Sequence, residues 1–77
     1  MTTKEITNEL IGRRCRCIFT GLMVEGTITE IIEDKYVKGV MVEFDQPQQW
    51  GDDLYRRTDA TARKIDEFGT LHHLQLL

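Results

Sequence analysis

Alternation of apolar and polar side chains at every second position constrains this chain more than any other feature. From Arg13 to Phe19, Cys15, Cys17 and Phe19 share one parity, while Arg14 and Arg16 take the other. Val24, Gly26 and Ile28 then alternate with Glu25, Thr27 and Thr29. Val40, Val42 and Phe44 alternate with Gly39, Met41 and Glu43. Successive side chains leave a strand on opposite faces, so a period of two marks half-buried strands. The phase slips where Ile31 and Ile32 stand side by side. A one-residue slip exchanges the two faces, which predicts a bulge or sharp bend near Glu30.

This pattern predicts strands over Arg13 to Phe19, Val24 to Glu33 and Tyr36 to Phe44, with Lys38 just beyond the core edge. Thr20-Gly21-Leu22-Met23 reads as a loop and Glu33-Asp34-Lys35 as a tight polar turn. The stretch Asp45 to Asp53 holds Pro47, Gly51 and several amides, and reads as the longest loop. Leu54 to Thr58 gives a short fourth strand and Thr70 to Leu76 a last one. A helical turn fits at Thr7 to Gly12, and another, or an extended connector, at Thr61 to Phe68. The expectation is one mainly β domain over residues 1–77, a small five-stranded barrel with a bent second strand.

In element order and glycine placement the chain resembles the SH3-like small β-barrel superfold over roughly Gly12 to Leu76. Gly26-Thr27-Ile28-Thr29-Glu30-Ile31, followed by Val40-Met41-Val42-Glu43-Phe44-Asp45, looks like the central hairpin of such barrels. The aromatic dipeptide of peptide-binding SH3 domains near the first strand is missing, which argues against proline-rich ligands. Fold alone assigns no function.

Seventy-seven residues make a thin core with little room for a deep catalytic pocket. The 40% hydrophobic and 30% charged content is that of a globular domain. No apolar run reaches the roughly 18 residues of a membrane span. Met1-Thr2-Thr3-Lys4-Glu5 lacks the apolar stretch of a secretory leader, and a cytoplasmic, non-membrane protein is expected. The net charge is −3, with eight of the 13 acids between Glu25 and Asp53. That window holds only Lys35 and Lys38 as bases, so an acidic middle lies between basic ends.

Four groups of residues offer chemistry. Cys15 and Cys17, with His72 or His73 on a neighbouring last strand, would compose a zinc ligand set. Adjacent histidines point to opposite faces, and a free cysteine packs as a small hydrophobe, so buried thiols are the plainer reading and no cofactor is expected. The histidines lack any serine to activate, and no catalytic motif is present, so the expectation is a non-enzyme. Arg13, Arg14, Arg16, Arg56, Arg57, Arg63 and Lys64 would form an anion or nucleic-acid patch if they met on one side. Their plainer role is pairing with acids such as Glu25, Glu43 and Asp59.

Trp50 is the strongest pointer. It sits among glutamines and aspartates with no local apolar pattern to explain it. It either caps an open barrel end or floors an aromatic cleft with Tyr36 and Tyr55, rimmed by Asp52 and Asp53. Such a cleft suits a cationic or amide-bearing peptide. A non-catalytic module that binds protein or peptide is therefore expected, with nucleic acid as the alternative partner. The apolar end Leu74-Gln75-Leu76-Leu77 also predicts pairing with a second copy along a strand edge.

Overall fold

The computed structural model describes residues 3–63 and 73–77. Five strands form one antiparallel sheet: β1 (Arg14–Phe19), β2 (Leu22–Glu33), β3 (Val37–Trp50), β4 (Asp53–Arg63) and β5 (Leu74–Leu76). The spatial order is β4-β3-β2-β1-β5. The alternation in the sequence thus yields a mainly β domain, with β1 and the last strand as neighbours.

The expected closed barrel is not what forms. Closure requires the two edge strands to exchange hydrogen bonds. Among the described residues β4 pairs only with β3, and β5 pairs only with β1. The sheet is open.

Residues 6–10 cover its buried face. Asn8–Leu10 is a single 3₁₀ turn in the expected place, followed by Gly12 in the left-handed region at φ 91°. The turn is tied to β2, because the Gly12 amide donates to the Ile28 carbonyl at 2.7 Å. The Ile28 amide in turn donates to the carbonyl of Arg13 at 3.0 Å. This clamp lays Ile6 and Leu10 over Cys15, Cys17, Ile28, Val40, Val42, Phe44 and Leu74, and together these residues are the core.

The bend in β2 falls where the phase slip places it. Ile28 faces Val42 and Glu30 faces Met41, so Thr29 is the extra residue of a bulge. Its hydroxyl donates to the Met41 carbonyl at 3.5 Å. After the bulge Ile31 packs against the core as Ile28 does before it. Where β3 starts, the Asp34 carboxylate accepts from the amides of Tyr36 and Val37 at 2.7 and 2.8 Å, a side-chain-closed turn. Lys38 is half-buried, with its ammonium 4.0 Å from Glu33.

Two loops of the sequence reading are strands. Phe19 pairs directly with Leu22, so only Thr20 and Gly21 turn, both at positive φ, as a two-residue hairpin requires. Asp45 to Trp50 continues β3, and the turn shrinks to Gly51 and Asp52 between paired Trp50 and Asp53. The irregular composition marks a bulge instead of a loop. Between Glu43↔Arg57 and Gln48↔Tyr55 the strand β3 carries three more residues than β4. Pro47 falls in that shift, where a missing amide donor breaks no ladder bond. β4 runs to Arg63, well past the short strand expected. The helical turn expected before the last strand falls, from Lys64 onward, outside the described residues.

Candidate functional site

The β3 bulge builds the site. Pairing of β2 with β3 begins at Gly26↔Phe44, so Leu22 to Glu25 pair with β1 alone. Beyond Phe44 the extra residues of β3 swing away from β2. An open groove of about 360 Å³ is left between Leu22, Met23 and Val24 on one side and Asp45, Gln46 and Gln48 on the other. Trp50 stands two residues past Gln48 at the hairpin tip. Its relative exposure is 59%, and Leu54, two positions past the turn, is 67% exposed. Leu22, at the start of β2, is 69% exposed. Large apolar side chains are therefore left uncovered at one end of the sheet, Trp50 and Leu54 on opposite faces of it. The indole does not cap the core.

The aromatic cleft expected from the sequence is not assembled as such. Tyr36 lies at the β2–β3 turn, the opposite end of β3 from Trp50. Tyr55 instead packs on Phe19, with ring centroids 5.4 Å apart, and Phe19 packs on Phe44 at 5.1 Å. This tilted row of rings anchors the root of the hairpin tip to the core. Asp52 lies in the turn and Asp53 faces Trp50, so the acidic rim does sit beside the indole.

The arginines divide. Arg14 makes a bidentate hydrogen-bonded pair with Asp45, donates to the Thr27 hydroxyl at 3.2 Å and lies 4.0 Å from Glu25. Arg16 meets Glu25 at 2.8 Å. Arg14 holds the Asp45 carboxyl below the usual carboxylate range by hydrogen bonding, and its own guanidinium is raised by the same bond. These pairs are exposed and worth little as stability. Their role is geometric, since Arg14 ties the first residue of the bulge back across β2 to β1. Arg57 faces Glu43, and Arg63 faces Val37, both on β4. Arg13 is exposed beside the N-terminal clamp. Lys64 lies outside the described residues. Arg14 and Arg16 are thus engaged by Asp45 and Glu25, and Arg57 stands opposite Glu43, which is the pairing role.

Cys15 and Cys17 are free, buried thiols on the core face of β1. Desolvation, with a smaller push from Cys17, moves the Cys15 thiol from its ordinary 9.0 up to about 11. Burial raises Cys17 as well. Both are protonated near neutrality, which suits core packing and leaves little thiolate for a nucleophile. His73 is exposed, and its carbonyl accepts from the Ile18 amide at 3.1 Å. It does not join the buried thiols, and His72 lies outside the described residues. Among the described residues no three His, Cys, Asp or Glu side chains are grouped to hold a metal ion.

Sequence reasoning missed Leu22, Met23 and Leu54 as exposed apolar positions and Asp45 as the partner of Arg14. Leucine and methionine directly after Gly21, in a segment read as a loop, were the available signal.

Fold and site together define a small open-sheet β domain that leaves Leu22, Met23, Trp50 and Leu54 exposed at one end of the sheet. The chain belongs to the family described as domain of unknown function (DUF7258), whose model matches residues 1–76. No curated protein and no solved structure matches it. None of its helices among the described residues is long and apolar enough to cross a membrane.

Proposed function

We propose that this domain is a non-catalytic interaction module that captures a protein segment at the hairpin end of its sheet. The observation that carries the reading is the uncovered indole of Trp50 at the tip of a paired two-residue turn. Tryptophan on a rigid element buries large area at small entropic cost when a partner arrives. Leu22 and Met23 extend the apolar surface into the groove, and Gln46 and Gln48 supply amides for a peptide backbone. Asp52 and Asp53 make no ion pair among the described residues, so the rim favours a segment carrying lysine or arginine beside an apolar residue. The strand order and bulged β2 support the SH3-like likeness at the level of element order, in an open form. Two free thiols suit a reducing compartment, and the cytoplasm is the location we propose.

The single tryptophan is its own reporter. Partners captured from a lysate by the wild-type chain, then reduced to basic peptides, are expected to change its fluorescence on titration. Trp50→Ala is expected to lose at least about tenfold in affinity, roughly 1.4 kcal/mol, with unchanged urea unfolding. Capture of the same partners with equal affinity by both chains would falsify the reading.

A further inference from the structure

We propose that β4 pairs antiparallel with β4 of a second copy along its whole length, in the register that sets Thr58 opposite Thr58. The edge is available: β4 spans 11 residues and, among the described residues, pairs only with β3. An edge strand turns a row of amides and carbonyls outward, a template for another strand. The opposite edge, β5, is only three residues long.

Charge selects the occupant. β4 carries Asp53, Arg57, Asp59 and Arg63, all of one parity. In a two-fold antiparallel pair, residues facing each other have numbers of constant sum, and one residue faces itself. With Thr58 on the axis, Arg57 faces Asp59 and Asp53 faces Arg63, each twice by symmetry. Every neighbouring register fails. An axis at Arg57 or at Asp59 sets that charge against itself. An axis at Arg56 adds Asp53 against Asp59, and one at Ala60 sets Arg57 against Arg63. Like charges directly opposite destabilise a pair and opposite charges support it. Charged residues on an edge ordinarily serve to discourage pairing altogether. Here their order favours one: axes at Tyr55 or Thr61 also oppose unlike charges, but they overlap only residues 53–57 or 59–63 of each strand, whereas the Thr58 axis overlaps all 11.

The product is a continuous sheet through both copies, with the two Trp50 tips at opposite ends of the shared edge. Two capture sites facing apart would give the assembly avidity toward a repeated partner.

Sedimentation of the full chain from about 10 to 500 μM tests the proposal, with a Kd on the order of 10–100 μM expected for so small an interface. Asp59→Arg and Arg57→Asp, each alone, are expected to weaken self-association more than about tenfold, because each opposes like charges twice. Mixed in equal amounts, the two variants are expected to dimerise again, since both facing pairs become opposite in sign. Arg57 also faces Glu43 within its own chain, so a second set guards against misfolding. Arg63→Asp and Asp53→Arg face only Val37 and Trp50 on β3 and are expected to behave in the same way. Circular dichroism reports that each variant folds. A wild type that stays monomeric at about 500 μM, single variants that dimerise as the wild type does, or folded mixtures that stay monomeric would each overturn the pairing.

Discussion

Strand β3 holds two regimes in one continuous run of backbone. Its first part, Val37 to Phe44, is paired on both sides and buries Val40, Val42 and Phe44. Its second part, Asp45 to Trp50, is paired on one side at most, and its residues are exposed apart from half-buried Gln48. The first part is held by what packs on it; the second projects from the sheet because β2 ends its pairing at Gly26. Stability resides in the first part and the candidate binding surface in the second. Side chains can change at the tip with little cost to the fold.

The contrast is sharpest at glycine. A Cβ at Gly39 would collide with the Ala60 carbonyl oxygen and lie 2.6 Å from Thr61 Cα, both backbone groups of a paired strand that cannot yield. Gly39→Ala is expected to cost about 3 kcal/mol or more in urea unfolding, enough to leave so small a domain barely folded. At Gly51 a Cβ meets nothing within 4 Å, and only the positive φ of 62° resists it. Gly51→Ala is expected to cost about 1 kcal/mol. Equal costs at the two sites would erase the distinction between the halves.

Side-chain truncation comes next in size. Val42 is fully buried, and Val42→Ala is expected to lower stability by about 2 kcal/mol through lost contacts and a cavity. Gln48→Ala, six residues further along the same strand, is expected to stay within about 0.5 kcal/mol by the same urea measurement. A loss at Gln48 that matched Val42 would mean that the groove is part of the core.

The smallest difference is one of pH. Cys15 belongs to the core side, and its folded-state pKa is raised to about 11 by desolvation. The unfolded thiol therefore gives up its proton first, and stability present below about pH 9 drains away as pH rises through about 11. Asp45 opens the exposed half, and Arg14 depresses its folded-state pKa. Its contribution is present above the ordinary carboxylate range and is lost as pH falls through the lowered value. Solvent screens that pair, so its limb is the shallower one. Cys15→Ala is expected to flatten the alkaline loss visibly and Asp45→Asn to change the acid side only slightly. An alkaline loss unchanged by Cys15→Ala would contradict the burial of that thiol.

Much of the core half was legible in the sequence. Alternation placed Cys15, Cys17, Ile28, Val40, Val42 and Phe44 on one face, and adjacent Ile31 and Ile32 located the bulge. The tip was less legible. Proline, glycine and amides suggest a loop when a segment is judged by its own residues, yet β4 lies alongside and supplies the ladder that keeps Asp45 to Trp50 extended. Trp50, singled out for its lack of local apolar company, is exposed, and Tyr36, grouped with it, lies at the other end of β3. Distance along β3 separates the two, and no local pattern reveals where a strand ends. The burial of Ile6 was equally invisible, because a lone isoleucine in a polar segment has no period to read.

The order of side chains along the chain was enough, by itself, to determine that it folds as strands, which faces are apolar and where the second strand must bend. These follow from the geometry of a single extended backbone. Tertiary structure alone decided that the sheet stays open, that β3 outruns β2, that Arg14 reaches across to Asp45 and that Trp50 is left uncovered. Each of those depends on which segment supplies the hydrogen bonds or the covering surface, and that is a property of the neighbours rather than of the residues concerned.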